Sequence, residues 1–175
     1  MGGFTLGTRE THLAQLTLSP NADLVLLNED SIKVRRYNHN EREPFGPEED
    51  WTWDDGPLYG TMGTFFAKMG QGVDAAIVVD EDKIVIRQSD GERFRPAQTW
   101  LLPDGPLFPG RPTAFADIFY AGRAAAIYVD DHVAIARKAR SNGYADSLPL
   151  RYPGSSVRGE LGTYFADVNG DGIAE

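Results

Sequence analysis

Apolar residues in this chain come in short bursts separated by polar turns. Leu24-Val25-Leu26-Leu27, Ala75-Ala76-Ile77-Val78-Val79 and Ala126-Ile127-Tyr128-Val129 are continuous runs of strand length, the pattern of a strand buried on both faces. Each is followed by a segment with period-two alternation: Ile32-Lys33-Val34-Arg35, Ile84-Val85-Ile86-Arg87 and Val133-Ala134-Ile135. Alternation predicts a strand with one face buried and one wet. Asn28-Glu29-Asp30 and Asp80-Glu81-Asp82 lie between run and alternation and have the composition that closes a hairpin. A further extended piece leads to Trp51 or Trp100, and Gly56-Pro57 or Gly105-Pro106 then turns the chain.

These elements recur. Phe66-Ala67, Phe115-Ala116 and Phe165-Ala166 are spaced by 49 and 50 residues, and Trp51 and Trp100 by 49. Gly63-Thr64 and Gly162-Thr163 precede the first and last of the Phe-Ala pairs. A more worn copy, Leu13-Ala14 followed by the run at Leu24, fits the same frame. Four short strands in about 50 residues is the size of one blade of a β-propeller. The expected fold is therefore all-β, with blades of four antiparallel strands. One repeat domain over residues 1–175 would hold units at 11–60, 61–110 and 111–159, plus the start of a fourth at 160–175.

Composition narrows the function classes. Nineteen Gly and 11 Pro in 175 residues, spread along the chain, suit frequent turns and argue against long helices. Seventeen basic and 26 acidic residues leave a net charge of −9, a field that repels phosphate backbones and argues against nucleic-acid partners. With no Cys, disulfides, thiolate zinc sites and cysteine nucleophiles are excluded. No apolar run approaches the ~18 residues that span a bilayer, so membrane insertion is not expected. Residues 41–50, acidic and Pro-containing, are the candidate for a long mobile loop.

One segment names a chemistry. Asp167-Val168-Asn169-Gly170-Asp171-Gly172-Ile173-Ala174-Glu175 places oxygen ligands at loop positions 1, 3, 5 and 9, with a backbone carbonyl at 7. That spacing can wrap a calcium ion with Asp167, Asn169, Asp171, the Ile173 carbonyl and Glu175. A metal-free Asn-Gly/Asp-Gly turn is the alternative.

With Phe165-Ala166 before it and Gly162-Thr163 upstream, the segment resembles the FG-GAP or VCBS repeat family, whose repeats build integrin-type β-propellers. The resemblance covers nearly the whole chain and is strongest from Gly63 onward. It implies calcium in the first hairpin of each blade. Only the last loop keeps the full ligand set. The third has Asp117 but Phe119 and Ala121 at the next two ligand positions, the second has Lys68, and the first has no carboxylate before Asp23. Those three loops are expected to fold without metal.

Trp51, Trp53, Trp100 and Tyr152 fall near the ends of units and are candidates for stacking on the apolar faces of sugars. For Trp51 and Trp100, which share a repeat position, filling the space between blades is the competing account. His12, His39 and His132 occupy unrelated repeat positions, and Asp54-Asp55 and Glu48-Glu49-Asp50 read as solvated acidic surface. No P-loop, nucleophile elbow or dinucleotide fingerprint is present. The expected function is a non-catalytic binding or adhesion module, presenting blade loops to a glycan or protein. The alternatives are a structural protein that forms homo-oligomers through open blade edges, and an accessory domain of a secreted enzyme. An extracellular setting is expected, with a leader removed; a cytoplasmic one is the alternative, because the N-terminus lacks a signal-peptide pattern.

Overall fold

A computed structural model describes residues 6–70, 72–101, 113–129, 132–150, 163–166, 168 and 173–174. All regular structure among them is β. The first sheet joins β1 (Glu10–Ala14), β2 (Asp23–Leu27), β3 (Ile32–Tyr37) and β4 (Phe45–Asp50) in chain order. The second joins β5 (Gly63–Lys68), β6 (Asp74–Val79), β7 (Lys83–Gln88) and β8 (Gln98–Leu101), and the third β9 (Thr113–Ala116), β10 (Ala125–Val129), β11 (Ala134–Arg137) and β12 (Leu148–Leu150). Every neighbouring pair is antiparallel. The tight turns are built as their residues dictate: Asn28 donates its N–H to the Ser31 carbonyl at 2.9 Å and Asp80 to that of Lys83 at 3.0 Å. No described helix is long and apolar enough to cross a membrane.

The sheets pack face against face, and their first strands stand side by side, β1 next to β5 and β5 next to β9. Strand alternation sorts the side chains. Val25, Leu27, Ile32 and Val34 on the first sheet meet Ala76 and Phe94 from the second, with Phe66 at the edge of the cluster. Ile77, Val79, Ile84 and Ile86 project from the opposite face of the second sheet and meet Ala124, Ala126 and Tyr144 of the third. Burying each such side chain stabilises the fold by about 1.5–3 kcal/mol. Because the second sheet is covered on both faces, β7 is buried throughout apart from half-buried Lys83, including Val85 and Arg87. The alternation at Ile84 had predicted a half-wet strand; the neighbouring sheet on each side overrides it. In the first sheet β3 does alternate, because the aliphatic stems of Lys33 and Arg35 flank Leu24 and Leu26 on the outer face.

Backbone hydrogen bonds stitch the sheets together. Asp74 N–H donates to the Gln15 carbonyl at 2.7 Å and Ala124 N–H to the Lys68 carbonyl at 2.7 Å; Ala174, beyond the third sheet, makes the equivalent bond to the Asp117 carbonyl at 3.0 Å. Successive donors are 50 residues apart. Phe165 and Ala174 also pack on the outer face of the third sheet, beside Ala125 and Ile127. At the entry to β5, Gly60 crosses so close to the second sheet that a Cβ would lie 2.0 Å from the Val79 carbonyl oxygen.

Residues 41–50 depart from the expected mobile loop, because Phe45–Asp50 is the strand β4. Its acidic side chains find cations on the adjacent strand: Lys33 bonds Asp50 at 2.6 Å and Arg36 bonds Glu49 at 2.9 Å. Lys33 and Asp50 are directly opposite in the ladder and Arg36 reaches Glu49 diagonally; such cross-strand charge pairs stabilise a strand that its own composition would leave unpaired.

Candidate functional site

Between the first two sheets lies a cleft of about 640 Å³. Residues 50–55, the exit from β4, form one wall; Asp90 and residues 93–96, the connection from β7 to β8, form the other. The first wall is fixed by short-range bonds. Trp51 N–H donates to the Ile32 carbonyl at 2.9 Å, and Thr52 N–H donates to the Asp50 carboxylate at 2.9 Å. The Lys33 ammonium, with help from Thr52, holds the Asp50 carboxyl down at about 2. On the second wall, Ser89 Oγ donates to the Leu16 carbonyl at 2.6 Å and so ties the hairpin to the first sheet. Asp90 accepts the N–H groups of Arg93 and Glu92, which keep its carboxyl below the usual range.

Phe94 stands between two indoles. Its ring centroid is 5.4 Å from that of Trp51 and 5.3 Å from that of Trp53, both near perpendicular. Edge-to-face contacts of this kind add about 0.5–1.5 kcal/mol beyond area burial. Trp51 is only 2% exposed and belongs to the packing between sheets. Trp53 is half-exposed, with its Nε1–H donated to the Pro57 carbonyl at 3.0 Å. Beneath it, Arg87 sits 4.3 Å from the ring centroid.

Arg87 is the anchor of this wall. Its side chain is 1% exposed, and its Nη2 and Nε donate to Asp55 Oδ1 at 2.7 and 3.1 Å. Nη2 also reaches the Asp55 carbonyl at 3.1 Å, while Nη1 is buried with no partner among the described residues. Asp55 Oδ2 accepts the Ala97 N–H at 3.0 Å. That N–H, and then the guanidinium, lower the Asp55 carboxyl from its ordinary value. Gly56, at φ +140°, lets the chain turn away directly above Arg87, where a Cβ would come within 3.3 Å of Nη2. Asp54 and Asp55 are both exposed, as read from the sequence, and Asp55 in addition pairs with buried Arg87. The strand register places Arg35, Arg87 and Arg137 at one position, opposite Leu24, Ala76 and Ala126, and at Arg87 the guanidinium buried there is matched by the Asp55 carboxylate.

Of the other aromatic candidates, Trp100 is 3% exposed and packs edge-to-face on Tyr144 at 5.2 Å, outside this cleft. Burial pushes the Tyr144 phenol up. Tyr152 lies outside the described residues, as do Asp167, Asn169, Asp171 and Glu175 of the calcium loop. Ile173 is described, next to the Ala174 link to the third sheet. In the third loop, Asp117 spends its carboxylate on the N–H groups of Phe119, Ala121 and Gly122, at 3.2, 2.9 and 2.6 Å. Asp23 is likewise bonded by the N–H groups of Thr17 and Tyr37, both at 3.1 Å. Sequence reasoning missed Phe94, Asp90, Arg93 and Arg95, because nothing local marks the hairpin after β7 as the facing wall of Trp53.

No protein-family model and no curated protein matches the sequence. Among solved structures, the chain is similar to part of a mutant Photorhabdus luminescens Tc holotoxin pore, at 24% identity and a TM-score of 0.63, over 93% of this chain and 8% of that one. It is also similar to a lectin of Agrocybe aegerita described for specific recognition of non-reducing terminal N-acetylglucosamine, at 16% identity and a TM-score of 0.64, over 94% of this chain and 45% of the lectin. The chain thus spans less than half the length of either structure, and at these identities the likeness establishes a shared β-rich fold.

Proposed function

We propose that the three sheets are consecutive blades of a β-propeller of FG-GAP/VCBS type, and that the cleft between the first two takes a glycan in a non-catalytic binding module. The observation that carries this is the cleft itself: a half-exposed indole held rigid by Arg87 and Phe94, in a concavity of about 640 Å³ edged with hydrogen-bonding side chains. Flat apolar surface with a few placed polar groups suits a sugar, whose ring has an apolar face and a polar rim. Fold likeness to a lectin makes N-acetylglucosamine the first probe. Side-by-side first strands and an inter-sheet link every 50 residues support the blade reading.

The test is a glycan array followed by titration calorimetry. Binding of a glycan that weakens about tenfold or more in Trp53→Ala, with the melting curve still cooperative, is the expected result. An array without signal, or affinity unchanged in Trp53→Ala, removes the reading.

The last loop is proposed to hold one Ca2+ through Asp167, Asn169, Asp171, the Ile173 carbonyl and Glu175, in keeping with an extracellular protein. Its ligands must be ionised, so affinity falls as pH drops toward ordinary carboxylate values. Calorimetry should give one site per chain in the wild type and none in Asp167→Ala; equal binding by both refutes the assignment.

A second reading, assembly through exposed blade surface, is favoured by Leu6, Leu13 and Leu18, which are 70%, 67% and 84% exposed in or beside the first sheet. A monomeric mass by light scattering at tens of micromolar removes it.

A further inference from the structure

The polar groups that line the cleft are mostly engaged. Asp50 is taken by Lys33 and Thr52, Asp55 by Arg87 and Ala97, and Asp90 by the hairpin backbone. Arg93 is 3.9 Å from Asp90. Among the described residues, two charged side chains on the lining have no hydrogen-bond or ion-pair partner: Asp54 on the first wall and Arg95 on the second, which contributes only its field to Asp90. Both are exposed; Asp54 follows the half-buried Trp53 in the chain and Arg95 follows Phe94, whose rings meet at 5.3 Å.

We infer that Asp54 and Arg95 select the ligand, and that they select an uncharged sugar. This rests on the glycan reading and goes beyond it by naming the ligand class. A carboxylate only accepts hydrogen bonds and a guanidinium only donates them. Matching both from one small molecule takes groups that donate on one side and accept on the other, as adjacent hydroxyls do, or a hydroxyl beside an acetamido carbonyl. The two charges cancel across the cleft, so a neutral ligand leaves neither unmatched. An anionic sugar meets Asp54 and a field of −9, and an amino sugar meets Arg95.

Titration calorimetry with methyl glycosides of N-acetylglucosamine, galactose and mannose, with glucosamine and with N-acetylneuraminic acid, tests this. At least one neutral sugar should bind about tenfold more tightly than either charged one. Asp54→Asn should weaken that sugar about tenfold and narrow the handicap of N-acetylneuraminic acid. Arg95→Gln should weaken it similarly and narrow the handicap of glucosamine. Opposite shifts in charge preference are a readout that general loosening of the cleft does not produce, and both positions are exposed, so melting should be unchanged. Loss of binding in Trp53→Ala with Asp54→Asn and Arg95→Gln unaffected overturns this inference and leaves the glycan reading standing. Preference of the wild type for a charged sugar does the same. Absence of binding to any sugar on an array overturns both.

Discussion

Replacing Trp100 by alanine is expected to lower the free energy of unfolding by about 3–5 kcal/mol, the range for removing a large aromatic from a packed core. Trp100 is 3% exposed, pairs in register with Ile84, and lies edge-to-face on Tyr144 of the next sheet. The small residues around it, Ala124, Ala126 and Ala139, have no side-chain length with which to close the void. Urea unfolding monitored by circular dichroism gives the magnitude. A loss below about 1 kcal/mol would show that the sheets close over the cavity, contrary to the rigid stacking argued above. Trp51 makes the same contact with Phe94 in the junction before.

The second large effect is at Asp55. Asp55→Ala leaves the Arg87 guanidinium, 1% exposed, without its carboxylate, and frees the Ala97 N–H. Breaking a buried pair from one side costs about 3–5 kcal/mol; Asp55 is itself 43% exposed, so water offsets part of this and about 2–3 kcal/mol is expected. The pH dependence has a definite sign. The folded-state carboxyl of Asp55 is depressed, so its contribution is complete above the unfolded value near 4 and is lost as pH falls through the lower folded value. Urea midpoints of wild type and Asp55→Asn should differ at pH 7 and converge as pH falls below about 4. A gap that stays constant down to pH 2 would mean the ion pair contributes nothing.

The strands were legible because hydrophobic periodicity reports local burial. The apolar runs at Leu24, Ala75 and Ala126 are the central strands β2, β6 and β10. What the residues did not disclose depends on partners distant in sequence. Ile84 to Arg87 alternates as though one face were wet, yet the sheet on either side covers both. Residues 45–50 carry a loop composition and become a strand through Lys33 and Arg36. Trp53 was recognisable as a candidate from its place at the end of a unit, whereas the facing hairpin that makes a cleft of it is some 40 residues away in the chain.

The inter-sheet bonds from Asp74 and Ala124 have a consequence for how the molecule comes apart. Both junctions between described sheets use the same backbone link and the same kind of aromatic contact, Trp51–Phe94 and Trp100–Tyr144, so coupling runs between nearest neighbours, as in a one-dimensional array. Damage at one junction is felt by the two sheets that share it and fades beyond them. Among the described sheets the second is the one packed between two others, so its β6 and β7 amides should exchange more slowly than those of β2 and β3.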